Sequence, residues 1–375
     1  MRNPGSNGKK FDVKINFDKI VGQQHVKQLL QQILEGGRLA HAYLFSGSEG
    51  TGKLATAARF AQAILCENAE ETPCGACKSC LQFTSGNHPN YMLVYPHPKA
   101  AKDVEKQSVV QMIKEKPYQV KLPWNAPQIS IDSIRELRRN LGLKTFGHQR
   151  RVIILLDAHK MTREATNAVL KVLEEPPPDT YFLLISSDQE NLLPTIISRC
   201  QLVQFNNLTD EDILQSLLAG GRGTESELRL VARMARGSMR RALQLVETGA
   251  GEMKEVGVEL LRTAFKRYSE IAAYGAEIAG KYERPQLKEI LESLILWLRD
   301  AFLLENVLQA QAEANLTNPD DQEKMQKFVS NFPQFQYRSA IKEVETGIRM
   351  LEKYVQPAVV LIVMMGKLRK YAIKP

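Results

Sequence analysis

The stretch Gly47-Ser48-Glu49-Gly50-Thr51-Gly52-Lys53 constrains this chain more than any other part of it. It fits the pattern G-x-x-x-x-G-K, and it sits between a short apolar run, residues 42–46 (AYLFS), and an Ala- and Leu-rich segment, residues 54–65 (LATAARFAQAIL). Strand, glycine loop and helix in that order are the context that gives the pattern a mechanism. Glycines let backbone N–H groups converge on phosphate oxygens, the helix N-terminus adds a favourable dipole, and the lysine brings a charge to the outer phosphates. Gly47, Gly50, Thr51, Gly52 and Lys53 are therefore the expected phosphate-holding residues. The competing reading is a plain glycine-rich turn, and the flanking strand and helix weigh against it.

The next position of such a loop is expected to carry a Ser or Thr hydroxyl for Mg²⁺, and here it is Leu54. Thr56 lies two residues on, roughly 200° around a helix with 3.6 residues per turn, and is no obvious substitute. A second apolar run, residues 152–156 (VIILL), ends in Asp157, a carboxylate able to hold metal through water or to cap the following helix. The residue after it, where a Glu would polarise an attacking water, is Ala158. Two groups serving one chemical step are thus missing. The loop can still take ATP or ADP without hydrolysis, but a protein-held Mg²⁺ is not expected.

A chain of 375 residues exceeds one ordinary core and predicts two or three domains. Apolar spacing predicts a helix over residues 26–33, a helix from Ser130 or Asp132 through Leu141, and another after Asp157 that ends at Glu174-Glu175-Pro176-Pro177-Pro178. Residues 181–185 (YFLLI) read as a third strand, so strands alternate with helices around a parallel sheet. Residues 96–127 are polar, Lys-rich and weakly periodic, and read as a mobile insertion. Beyond Phe205 the pattern turns helical, with residues 210–218 and 225–235 the clearest, and from about Met253 the helices lengthen. There Leu287, Ile290, Leu291, Leu294, Leu298 and Ala301 recur at helical spacing.

Three of five cysteines, Cys74, Cys77 and Cys80, fall within seven residues, and Cys66 lies eight residues upstream. Four thiolates suit tetrahedral Zn²⁺ and leave no open position for water, so the expected role is structural; unliganded thiols are the alternative. Cys200 reads as a small buried residue. The net charge of +8 favours contact with a polyanion without requiring one. The N-terminal segment has no apolar h-region, and the longest strongly apolar run, residues 358–365, is far short of the roughly 20 residues that span a bilayer. A cytoplasmic chain with no membrane partner is expected.

Read together, Ile20-Val21-Gly22-Gln23, LAHAYLFSG at residues 39–47, the cysteine knuckle, NAVLKVLEEPP at residues 167–177 and Ser198-Arg199-Cys200 resemble the bacterial DNA polymerase III clamp-loader family, over about residues 17–245. Within it the chain looks like a delta-prime subunit, because gamma/tau subunits keep the loop Ser/Thr and the Asp-Glu pair. The resemblance implies an α/β P-loop AAA+ domain with a parallel sheet (residues 1–206, with the zinc knuckle at 66–80), a small helical lid domain (207–252) and an all-helical C-terminal collar domain (253–375). It implies a pentamer in which ATP sites lie between subunits, with gamma/tau and delta as partners and with the sliding clamp and primer-template DNA in the assembled complex. Arg199 matches the arginine that completes a neighbour's ATP site in trans, a task suited to a permanently charged, bidentate guanidinium.

Gly237-Ser238-Met239-Arg240 is similar to the family's second sensor, which makes Arg240 a further phosphate-contacting candidate. Arg233, Arg236, Arg240 and Arg241 are equally readable as a solvated helical face. Ser186-Ser187 falls in the first-sensor region. Arg135, Arg138 and Arg139, with Lys144, Arg150 and Arg151 close behind, form a basic stripe that is either solvated or laid along a DNA backbone. The missing loop hydroxyl and carboxylate, taken with the resemblance, imply a delta-prime-like, non-hydrolysing clamp-loader subunit. The alternatives are a hydrolysis-competent gamma/tau-type ATPase, or a zinc-bearing nucleic-acid-binding module with a relic ATPase fold.

Overall fold

The computed structural model describes residues 14–37, 39–68, 71–142, 150–307 and 316–372. By its internal contacts the chain divides into two compact units: the first runs to Thr209 and takes in Gly237–Arg240, and the second comprises Asp210–Arg236 with everything from Arg241 onward.

The first unit is built on a five-stranded sheet of β4 (Tyr91–Val94), β5 (Arg151–Leu155), β6 (Thr180–Ser186), β2 (Ala42–Ser46) and β7 (Gln201–Gln204), in that order and parallel throughout. Two short strands, β1 (Lys14–Ile15) and β3 (Glu71–Thr72), pair separately. β2, β5 and β6 are apolar without alternation because both faces are covered. Successive side chains still point to opposite faces. Tyr43, Phe45, Val152, Ile154, Leu183 and Ile185 pack on one side with Val26 and Leu30 of α1 (Gln24–Glu35) and Phe60 and Ile64 of α2 (Lys53–Leu65). Ala42, Leu44, Ile153, Leu155, Phe182 and Leu184 pack on the other with α5 (Ile131–Leu141) and α6 (Arg163–Glu174).

Ser130 caps α5 by accepting the Ser133 N–H at 3.4 Å. The segment expected to be a mobile insertion instead contains α4 (Asp103–Glu115), held by buried Val109 and Ile113. Two such anchors on a largely polar helix make a weak periodic signal but suffice for packing. β4 and β7 were not foreseen either, because as edge strands they are only partly buried and lack a continuous apolar run.

The second unit is helical among the described residues: α8 (Asp210–Ala219), α9 (Glu225–Ala235), most of α10 (Met239–Thr248), α11 (Ala250–Thr263), α12 (Tyr268–Lys281), α13 (Arg284–Asn306), α14 (Gln322–Asn331), α15 (Tyr337–Glu352) and α16 (Pro357–Leu368). α13 is its spine, burying Leu287, Ile290, Leu291, Leu294, Trp297, Leu298 and Ala301 against α11 and α15. Gly257 lets α11 approach closely, since a Cβ there would lie 2.9 Å from the Ile290 carbonyl oxygen. A break before Pro357, which opens α16, separates it from α15.

Leu44 is fully buried in the central sheet. Leu44→Ala is expected to destabilise the first unit by about 2–5 kcal/mol, read as a lowered urea midpoint.

Candidate functional site

The parallel register carries three loops to one edge of the sheet. Leu44 lies beside Leu184 and Leu184 beside Leu155, so the glycine loop after β2, Asp157 after β5 and Ser187 after β6 emerge at the same level. That carboxyl edge is where ligands of parallel α/β sheets bind. The resulting cleft is lined by Glu49, Gly50, Gly52, Lys53, Leu54 and Asp157, with Ser187, Arg240 and a wall from residues 117–122.

Within the loop, Gly47, Gly50 and Gly52 all have positive φ (147°, 78° and 96°), and Gly52 opens α2. Thr51 is buried and its hydroxyl donates to the Ser48 carbonyl at 2.8 Å. Lys53 is buried, its ammonium donating to the Gly47 and Ser48 carbonyls at 2.6 and 2.5 Å. Burial pulls its pKa down to about 8 against the opposing pull of Asp157 and Glu49. Arg240 reaches the same cleft and pairs with Glu49 at 2.9 Å, while the Met239 N–H donates to the Gly50 carbonyl at 2.9 Å. The other three arginines of that stretch pair inside the second unit: Arg233 with Asp210 at 3.1 Å, Arg236 with Glu292 at 3.5 Å, and Arg241 with Glu292.

Leu54 and Ala158 are buried apolar residues, so neither offers a ligand. The Thr56 hydroxyl donates back to the Gly52 carbonyl at 2.9 Å within its own helix. Asp157 sits at φ 53° before a short 3₁₀ turn but makes no capping bond; its carboxylate accepts from Lys160 Nζ at 2.7 Å. Ser186 turns away from the cleft to donate to the Asp188 carbonyl at 2.8 Å and to meet His159 Nδ1 at 3.2 Å, which leaves Ser187 as the hydroxyl residue on the cleft wall. Burial lowers the His159 pKa, with Asp157 opposing.

Arg199 lies apart from this cleft, in the turn after a short helix α7 (Pro194–Ile197). Its side chain is one-third exposed, and the guanidinium donates to Glu174 at 2.7 Å and to the Thr195 carbonyl at 2.9 Å. Glu174, at the end of α6, thus orients it while N–H donors remain for another ligand. Cys200 is partly buried against the core, and burial lifts its thiol to about 12.

Cys66, Cys74, Cys77 and Cys80 converge, with all four sulfurs within 4.8 Å of one another. Cys66 Sγ to Cys77 Sγ is 3.9 Å and Cys74 Sγ to Cys80 Sγ is 4.0 Å. Four Zn–S bonds of about 2.3 Å at tetrahedral angles would place sulfurs about 3.8 Å apart, so the set fits such an ion. Backbone N–H groups already point at the sulfurs: Cys77 N to Cys74 Sγ at 3.3 Å and Cys80 N to Cys77 Sγ at 3.4 Å. The Cys77 and Ala76 N–H groups pull the Cys74 thiol down to about 7, whereas burial pushes Cys80 up. Buried Ser79, on the short helix α3 (Lys78–Ser85), is bonded to the Leu65 carbonyl at 2.5 Å and to His88 Nε2 at 2.8 Å and braces the knuckle.

Of the basic stripe, Arg135, Arg138 and Arg139 share an exposed face of α5, with Arg135 paired to Asp132 at 3.3 Å. Arg151 does not belong to it: it is buried and donates to the Leu141 carbonyl at 2.8 Å. It opens β5, where an inward position overrides its charge. Lys144 lies outside the described residues. Two further residues at the site carry no role that the sequence pattern assigned them. Gln23 donates to the Thr51 and Asn206 carbonyls at 3.1 and 2.6 Å, and Tyr118 lies over Gly52.

Residues 22–209 match the family described as "DNA polymerase III, delta subunit". The chain belongs to the DNA polymerase III clamp-loader family. It is 34% identical to DNA polymerase III subunit delta' of Bacillus subtilis over 52% of this chain and 51% of that protein. It is 28% identical to DNA polymerase III subunit tau of the same organism over 78% of this chain and 52% of that protein. With tau of Escherichia coli the identity is 31%, over 65% of this chain and 35% of the relative. The chain thus spans about half or less of the length of these clamp-loader relatives.

The Lys53 amine gives this site a pH signature. In the unfolded chain it titrates near 10.5 and in the folded chain near 8, so between those values the unfolded chain holds a proton that the folded chain lacks. Stability from this group therefore rises with pH across that window. The difference in urea midpoint between the unaltered chain and Lys53→Met is expected to shift in favour of the unaltered chain from pH 8 to pH 10.5.

Proposed function

We propose that this clamp-loader family member is delta-prime-like: a scaffold that does not hydrolyse ATP and that supplies Arg199 to the ATP site of a neighbouring subunit while the sliding clamp is loaded on primed DNA. The observation that carries this reading is the pair Leu54 and Ala158. Both are buried and apolar where a magnesium-holding hydroxyl and a water-polarising carboxylate would be needed. Arg199, oriented by Glu174 yet partly exposed, suits a trans-acting role, because a guanidinium stabilises charge developing on a transferring phosphoryl group.

On this reading the glycine loop, Lys53 and Arg240 hold at most a nucleotide that is not turned over, and Asp157, paired with Lys160, holds no metal. Cys66, Cys74, Cys77 and Cys80 hold a structural Zn²⁺. Residues 207–252 act as the lid and 253–375 as the collar that joins gamma/tau and delta. Primer-template DNA is a partner in the assembled complex, and the protein works in the cytoplasm; among the described residues no helix is long and apolar enough to cross a membrane. The gamma/tau-type reading draws on the longer match to a tau subunit, 78% of this chain, and the missing hydroxyl and carboxylate speak against it.

ATP turnover tests the proposal. The chain alone is expected to show none above background. In a reconstituted loader whose other sites are inactivated, Arg199→Ala is expected to slow the adjoining site by about 10³-fold or more. Robust turnover by the isolated chain, or an unimpaired Arg199→Ala loader, would overturn it. Metal analysis of the reduced, folded chain is expected to give about one equivalent of zinc, lost in Cys74→Ser together with stability of the first unit.

A further inference from the structure

The wall of the cleft contributed by residues 117–122 is a strap with an alternating pattern. Tyr118, Val120, Leu122 and Trp124 turn toward the core that carries α2, while Gln119 and Lys121 lie between them. It is fastened to α4 and its C-terminal cap: the Gln119 N–H donates to the Lys116 carbonyl at 2.8 Å, the Lys121 N–H to Met112 Sδ at 3.3 Å, and Trp124 Nε1 to Glu105 at 3.3 Å. Met112 and Glu105 belong to α4, so the helix unforeseen in the sequence is what holds the strap.

The tip of the strap engages the phosphate loop itself. The Tyr118 hydroxyl accepts the Val21 N–H at 3.0 Å. It also lies 3.1 Å from where a Cβ on Gly52 would sit, with the ring carbon Cε1 at 3.3 Å. Gly52 opens α2, where backbone N–H groups converge on phosphate. A ring packed against that glycine and a nucleotide entering the loop compete for one space. Burial lifts the phenol to about 12, so the hydroxyl stays neutral at working pH and adds no charge against a phosphate.

We propose that Tyr118 is a built-in stopper of the phosphate loop: a nucleoside diphosphate enters only when the strap at residues 117–122 withdraws, and its entry releases the Val21 N–H. The stopper acts on binding and needs only the loop to be a phosphate site, so it stands whether or not the chain hydrolyses ATP. The apparent dissociation constant for ADP is then the intrinsic one divided by the small fraction of molecules with the strap withdrawn, so binding is weakened.

The test is calorimetric titration of the full chain with ADP in the absence of Mg²⁺, which separates binding from turnover. Tyr118→Ala is expected to bind ADP about tenfold or more tightly than the unaltered chain. Tyr118→Val, which keeps apolar packing against the core, should show the same gain and serves if the alanine variant folds poorly. Tyr118→Phe keeps the ring and loses only the Val21 hydrogen bond, so its gain should be smaller. Adding Lys53→Ala to Tyr118→Ala should abolish the gain, which ties it to the phosphate loop. ADP affinity within about twofold of the unaltered chain in the folded Ala or Val variant would overturn the proposal. So would undiminished protection of the Val21 amide from hydrogen exchange when the unaltered chain is saturated with ADP.

Discussion

The candidate site depends on the parallel pairing of β2 with β6 and of β6 with β5. Parallel strands all end at the same edge, so a glycine loop arrives side by side with an acidic residue and a serine that lie more than a hundred residues further along the chain. The pairing is fixed by side chains on both faces, Phe45, Ile154 and Ile185 on one and Leu44, Leu155 and Leu184 on the other. A one-residue slip would exchange the two sets and place bulky groups against the wrong helices. Site geometry is in this sense a by-product of a core that allows one register.

Three cations at or beside the cleft already have a local partner. Lys53 is held by the loop's own carbonyls, Arg240 by Glu49 and Lys160 by Asp157. Arg199, apart from the cleft, is held by Glu174. These pairs differ in what they imply. The Lys53 bonds satisfy a buried group that would otherwise be costly to desolvate. The Arg240 and Arg199 pairs are partly exposed, so each contributes little to stability and can be exchanged for a stronger anion such as phosphate. A guanidinium held weakly in a defined rotamer suits a group that must be in place before its ligand arrives.

What the sequence disclosed, and what it hid, follows burial. β2, β5 and β6 were legible because both faces are covered and each carries a continuous apolar run at its centre. β4 and β7 sit at the sheet edges, where Tyr91, Met92 and Leu93 are half-buried and Gln201, Leu202 and Gln204 are exposed, and their patterns blur accordingly. α4 hid behind a polar composition with two buried anchors. Arg151 misled because charge was read as exposure, whereas the Leu141 carbonyl gives the guanidinium a buried partner. Tyr118 could have been found from the period-two pattern of residues 118–124, which points to an extended strap with one face inward. The contact with Gly52 could not, because it joins segments distant in sequence.

The cysteine knuckle and the phosphate loop sit at opposite ends of one helix. Gly52 caps the start of α2 and Cys66 its end, thirteen helical residues apart, or about 20 Å at 1.5 Å per residue. That distance excludes any direct chemistry between a metal held by the cysteines and a phosphate at the loop. It leaves a mechanical relation. α2 buries Phe60, Ala61 and Ile64 against the sheet, and the knuckle fixes its far end through Ser79 and the Leu65 carbonyl. A helix anchored at its C-terminus and along its apolar face keeps its N-terminus, and with it the loop amides, in a set position. The same rigidity makes the strap, rather than the loop, the element that must move if a nucleotide is to enter.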